Sequence, residues 1–176
     1  MRIMIGAIVL AGIVAALPAC AADSADLMRC QKAMHVRVAS FDKVVQLRLL
    51  ACALKVESCQ LAAEIDGDDP TACLASAASA CSAYSAKVTQ YKALYREKAL
   101  SVCGPLPLGD LERSVGGLGF APANASCGAT TSVDLIACVF DAFQCSSERT
   151  VFALDPRAQY AFTAAGIASA HPCVGP

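Results

Sequence analysis

Six cysteines flank one break in the chain, and their spacing constrains the fold more than any other feature. The break is "IDGDDP", residues 65–70, with Cys52 and Cys59 before it and Cys73 and Cys81 after it; Cys30 and Cys103 lie further out. Pairing Cys59 with Cys73, Cys52 with Cys81 and Cys30 with Cys103 puts all three midpoints at residues 66 to 67. Two antiparallel helices that turn at that point bring paired residues to the same level, so the spacing predicts three cross-links across one hairpin.

The flanking sequence has the right periodicity. From Ala25 to Ile65 there is no Gly or Pro, and Cys30, Met34, Val38, Phe41, Val45, Leu49, Cys52, Val56, Cys59 and Ala63 recur in steps of three and four. This predicts one amphipathic helix of about 40 residues, about 60 Å long. Gly67 suits its left-handed cap, Asp69 the N-cap of a second helix and Pro70 its first position. That helix should run from Thr71 to Val102, with a stripe through Cys73, Ala77, Cys81, Tyr84, Val88, Tyr91 and Tyr95. A disulfide needs Cα atoms about 5.5 to 6 Å apart, an approach that the alanine-rich faces beside these cysteines permit. The smallest loop, about 15 residues, corresponds to about 3 kcal/mol in the chain-entropy model, and nested bridges share that entropy.

Residues 104–131 are rich in Gly and Pro and read as a connecting loop with one helical turn at Asp110 to Arg113. Thr131 and Asp134 form a capping box that opens a third helix, expected to reach Ala153. Asp155 and Pro156 repeat the cap-and-N1 pattern for a fourth, expected to end at Gly166. Cys138 and Cys145 are seven residues apart on the third helix, about 10.5 Å by rise, and cannot bridge each other. Two connectivities stand: Cys127 with Cys138 and Cys145 with Cys173, or the crossed arrangement. The short span from Cys127 to Cys138 favours the first. The expected fold is all-α: a long disulfide-stapled hairpin over 22–103, the 104–131 loop, and a smaller helical hairpin in 132–176 packed on or after it.

Residues 1–21 have the layout of an export signal. Arg2 is followed by an apolar run from Ile3 to Ala16 and then by small residues. Ala19-Cys20-Ala21 fits an A-x-A cleavage site, whereas "LPAC", Leu17 to Cys20, resembles the bacterial lipoprotein signal, which would place a lipid and a membrane attachment on Cys20. An uncleaved anchor is the third arrangement. Both processing routes take Cys20 out of the pool and leave ten cysteines, an even number that argues for five disulfides in an oxidising compartment. The expected location is exported: periplasm, outer-membrane lipoprotein or extracellular. The 56% hydrophobic content is inflated by alanine and by this segment, and no second apolar run reaches 18 residues. Loss of Arg2 leaves 13 basic residues (14 less Arg2) against 15 acidic, so bulk charge names no partner.

The cysteines fit metal or redox chemistry less well. A cysteine-rich exported helical chain loosely resembles bacterial copper-storage bundles, but those place thiolates one turn apart on one face. Here the spacings within helices are seven, eight or 22 residues, with no CxxC, CxxxC or CxxCH. His35 and His171 lack visible catalytic or ligating partners. "GGLGF" lacks a following GK[ST] and reads as a turn rather than a phosphate loop. "NAS" at Asn124 is a glycosylation acceptor in a eukaryotic host alone. The acidic turn with Glu64, Asp66, Asp68 and Asp69 lacks the calcium-loop spacing and reads as solvated. The sequence therefore predicts no enzyme, no cofactor, no metal site and no nucleic-acid partner.

Charge is laid out unevenly along the hairpin. Arg29, Lys32, Arg37, Lys43, Arg48, Lys55, Lys87, Lys92, Arg96 and Lys98 face only Asp42 and Glu97 on the shaft, while Glu57 to Asp69 carries five acids and no base. A solvated helical face accounts for this; so does a basic shaft that rests on an anionic envelope surface or an acidic protein partner.

"CQKA" at Cys30, the cysteines paired around the turn, "GLGF" at Gly117, "DLIACVFDAFQCSSERTVFALDPRAQY" from Asp134 and "AAGI" before the tail resemble the landmarks of uncharacterised, cysteine-rich, helical exported proteins of environmental bacteria. The resemblance covers nearly all of the chain after the leader. It implies the exported compartment and the disulfides, and carries no activity. The functional expectation is an exported, disulfide-rich helical protein with a structural or partner-binding role in the cell envelope. The alternative is a carrier of a small apolar ligand or lipid, in a pocket lined by Phe120, Phe140, Phe143 and Phe152. Metal storage ranks below both.

Overall fold

The structure, a computed structural model, describes residues 22–166. Expectations that fall on residues 1–21, on Cys20, on His171 or on Cys173 lie outside the described residues.

The hairpin forms as its caps and stripe require. Helix α1 spans Ser24–Asp66; the Asp23 carboxylate accepts from the amide of Ala25 at 3.3 Å, and Gly67 ends the helix at φ +75°. A residue with a Cβ would be strained in that left-handed conformation, which is why glycine sits there. Helix α2 spans Thr71–Cys103, and the Asp69 carboxylate accepts from both the amide (3.0 Å) and the hydroxyl (2.7 Å) of Thr71. Those two bonds hold the Asp69 carboxyl below its usual range.

Every residue of the predicted α1 stripe from Cys30 to Cys59 is buried, and Ala63 is half-buried. On α2, Ala77, Cys81 and Val88 are buried and Tyr84, Tyr91 and Tyr95 half-buried, whereas Cys73 is exposed beside the turn. The three predicted bridges are present: Cys30–Cys103 and Cys52–Cys81 at Cα separations of 5.0 Å, and Cys59–Cys73 at 5.6 Å.

The connecting segment holds more structure than a loop with one turn. Helix α3 (Leu108–Glu112) lies close to the expected turn, and α4 (Ala121–Cys127) is an addition to it. Pro122, one of the prolines that make the segment read as a loop, occupies the first turn of α4, where its missing N–H is no loss. Asn124 then ties off the far end, donating to the carbonyl of Ala129 at 3.1 Å and accepting from its amide at 2.7 Å. The "GGLGF" run folds back on α3, with the amides of Leu118, Gly119 and Phe120 bonded to the carbonyls of Asp110, Arg113 and Leu111. At Gly117 an added Cβ would lie 2.6 Å from the Arg113 carbonyl oxygen, so this close approach requires glycine.

Helix α5 (Ser132–Leu154) opens on Thr131, whose hydroxyl oxygen accepts from the Asp134 amide at 3.1 Å. The reciprocal half of the capping box is altered: the Asp134 carboxylate accepts from the Thr131 hydroxyl at 2.7 Å. Helix α6 (Pro156–Ala164) follows directly. Cys127 is bonded to Cys138 at a Cα separation of 6.0 Å, which ties α4 to α5. Cys145 is disulfide-bonded as well.

The smaller helical part packs on the hairpin rather than after it, with α5 against both α1 and α2 and α6 against α1. Phe41, Phe140, Leu111, Leu135, Ile136 and Val151 are fully buried at that junction. All described regular structure is helical.

Candidate functional site

A groove of about 530 Å³ runs between α1 and α5 and is closed at one side by Leu118 and Phe120 from the linker between α3 and α4. Met34 and Val38 of α1 and Val139 of α5 form its buried floor, and Phe143 stands exposed at the rim. Four α1 residues supply most of its polar edge: Gln31, His35, Asp42 and Gln46. The Asp42 carboxylate accepts from the Gln46 amide at 3.0 and 3.1 Å and from the hydroxyl of Ser147 on α5, which orders the groove where the two helices meet. The volume and the mix of apolar floor and sparse polar groups are those of small-molecule sites, although this one is open along its length.

The four phenylalanines expected to line one pocket divide among three places. Phe120 and Phe143 line the groove. Phe140 is fully buried beneath it, its ring centroid 5.8 Å from that of Phe41. Phe152 lies at the α5–α6 corner, edge-on to Phe162 at 5.3 Å. Helix geometry gives the reason: at about 100° per residue, positions 140 and 152 point about 120° apart and cannot line one wall.

The basic shaft is partly consumed within the fold. Lys92 pairs with Asp141 and donates to Gln144 of α5 at 3.0 Å, and Gln144 in turn donates to the fully buried Glu148 at 2.8 Å. Arg48 lies over the Tyr84 ring at 5.7 Å, and Arg29 pairs with Asp26. Lys32, Lys43, Lys55, Lys87, Arg96 and Lys98 remain exposed. At the acidic end, Glu64 pairs with Arg157 of α6 at 2.8 Å. Burial raises the Glu57 carboxyl above its usual range, and the Asp155 carboxyl beside it raises it further, against the pull of Arg157.

One surface was not anticipated. Val36, Leu47, Leu54, Leu61 and Ile65 form a second apolar stripe on the solvent side of α1, directly opposite the buried stripe; Leu47, Leu54 and Ile65 are 57%, 62% and 77% exposed. Their spacings of 11, 7, 7 and 4 residues return to within about 20° of one face at 3.6 residues per turn. The seven-residue repeat of leucines at 47, 54 and 61 is visible in the sequence and was overshadowed by the stronger cysteine-bearing stripe.

The eight cysteines in described pairs, and Cys145, are in disulfides and do not offer thiolates. Among the described residues no cluster of three or more His, Cys, Asp or Glu side chains could hold a metal ion, and no single helix is long and apolar enough to cross a membrane.

Fold and cross-links together define an all-α, cysteine-rich, disulfide-stapled protein, a composition compatible with an oxidising exported location. Beyond that class, comparison of the chain with known protein families, with functionally described proteins and with solved structures finds no match.

Proposed function

We propose that the protein is exported to the cell envelope, where it has a structural or partner-binding role. The observation that carries this reading is the unpartnered stripe of Val36, Leu47, Leu54, Leu61 and Ile65, about 43 Å long, on the face of α1 that its own fold leaves open. An exposed apolar strip on a cross-linked helix, continuous from Leu47 to Ile65 and separated from Val36 by Lys43, supports docking of another apolar helix or strip. Lys43, within the same face, and Lys32 beside it add the positive charge that would suit an anionic surface or acidic partner.

Leu54→Glu with Leu61→Glu tests this. Both side chains are exposed, so thermal stability should hold to within about 0.5 kcal/mol. Cross-linking in envelope fractions should recover the wild type in complexes and the double variant alone. Identical cross-linking patterns and sedimentation for both would refute the reading.

A second reading, a carrier of a small apolar ligand or lipid, is favoured by the groove floored by Met34, Val38 and Val139 and rimmed by Phe120 and Phe143. Native mass spectrometry of the mature protein should then show a co-purified apolar species, absent after Val139→Glu. A single mass equal to the polypeptide alone would count against it.

A further inference from the structure

The backbone nitrogen of Ala22 donates at 2.7 Å to Oδ2 of Asp110, 88 residues away. Asp110 is only 5% exposed; its other oxygen, Oδ1, meets the guanidinium of Arg113. Ala22 itself is half-buried against the core, immediately before the Asp23 cap of α1. A buried carboxylate is costly unless it is met by charge as well as hydrogen bonds, and Arg113 is itself half-exposed.

The sequence places a processing signal at the same atom. In Ala19-Cys20-Ala21 the small residues of an A-x-A site end at Ala21, so cleavage there makes Ala22 the first residue. We propose that the chain is cut between Ala21 and Ala22 and that Asp110 is the built-in receptor for the new α-ammonium. Water, with a signal peptidase, adds across the peptide bond. Its hydroxyl goes to the Ala21 carbonyl carbon, which departs in the leader as a carboxylate, and the Ala22 nitrogen takes up protons and remains as an ammonium. Before the cut, Asp110 receives one neutral N–H; after it, a full positive charge with three donors at the same position. Processing thus converts a hydrogen bond into an ion pair that fixes the start of α1 to α3. Lipidation at Cys20 would instead leave two residues ahead of Ala22 and keep its nitrogen a neutral amide.

The inference rests on the export reading above, and the test separates the two. The full-length chain is expressed in a Gram-negative host, and its N-terminal peptide is mapped by mass. A free amine on Ala22 is expected. A lipid on Cys20, or any other first residue, overturns this inference while leaving export intact; a full-length chain retained inside the cell overturns both.

The ion pair is then read from the rate at which an amine reagent labels Ala22 in the folded mature protein. A charge-assisted hydrogen bond is worth about 1.5–3 kcal/mol, which makes the free amine about ten- to a hundredfold scarcer. Wild type should label about tenfold or more slowly than Asp110→Asn, with its half-reactivity at higher pH than the ordinary α-amino range of about 7.7–8.0. In case Asp110→Asn fails to fold, a chain with one alanine inserted after Ala21 keeps every side chain and moves the amine about 3.8 Å away. It should label at the fast rate. Equal rates and equal pH profiles in wild type and the inserted chain would overturn the ion pair.

Discussion

The rings of Phe41 on α1 and Phe140 on α5 meet at 5.8 Å with their planes inclined by 49°, both fully buried. This contact joins the hairpin to the smaller helical part at a site that no described disulfide bridges. Phe140→Ala should therefore loosen α5 and spare α1 and α2. The expected loss is about 3–5 kcal/mol in denaturant unfolding. Hydrogen exchange should locate it, with amides of Ser132–Leu154 exposed and those of α1 still protected; a uniform loss of protection would contradict the division.

Removal of Cys52–Cys81 by double alanine substitution should cost about 3 kcal/mol, because the loop it closes is already shortened by the inner Cys59–Cys73 bridge. The triple of variants lacking the inner bridge, the middle bridge and both should be non-additive in thermal unfolding. Strict additivity would mean that the bridges do not share loop entropy.

Gly117→Ala should destabilise by about 1–3 kcal/mol, since its Cβ would collide with the Arg113 carbonyl and push the 117–120 strip off α3. The neighbouring Gly109, whose added Cβ meets nothing within 4 Å, is the control and should tolerate alanine. Denaturant midpoints of the two variants decide the matter.

Mild acid should tighten the docking of α6. Because the folded state raises the Glu57 carboxyl, it binds the proton more tightly than the unfolded chain does. The stabilisation is fully present below the unfolded pKa, about 4.3, and is lost as pH rises through the higher folded value. Hydrogen exchange across Pro156–Ala164 should show protection, corrected for intrinsic rates, falling over that window. Glu57→Gln should flatten the profile, because Asp155 then faces a neutral amide; the Glu64–Arg157 pair persists in both. An unchanged profile in Glu57→Gln would refute the assignment.

The hairpin was legible because its signals are local or geometrically linked: a two-helix turn fixes the level of every residue on both arms, so cysteine numbers carry distance information. The groove was not legible, because its walls come from α1, α5 and the 118–120 strip, and their facing depends on how α5 docks. That docking is set by Phe41, Phe140 and the Asp42–Ser147 bond, contacts between residues about 100 apart with no periodicity to reveal them. Helix α4 was hidden by Pro122, whose effect depends on whether it falls in the first turn or the interior. The stripe through Leu47, Leu54 and Leu61 was legible in principle, since each leucine follows Val45, Cys52 or Cys59 by two residues, about 200° of helical rotation, which places it opposite the buried face.

The Cys30–Cys103 bond has a consequence for durability. It joins the open ends of the hairpin, so α1, the turn and α2 make a covalent ring spanning 73 positions of sequence. A protease that cuts once anywhere inside that ring, even at the exposed Gly67–Asp68 tip, opens it without releasing a fragment. Two cuts on opposite arms also leave one body when a bridge lies between their levels, because that bridge joins the pieces; two cuts at one level, between the same neighbouring bridges, separate the tip from the open end. The hairpin can be nicked and still stay in one piece.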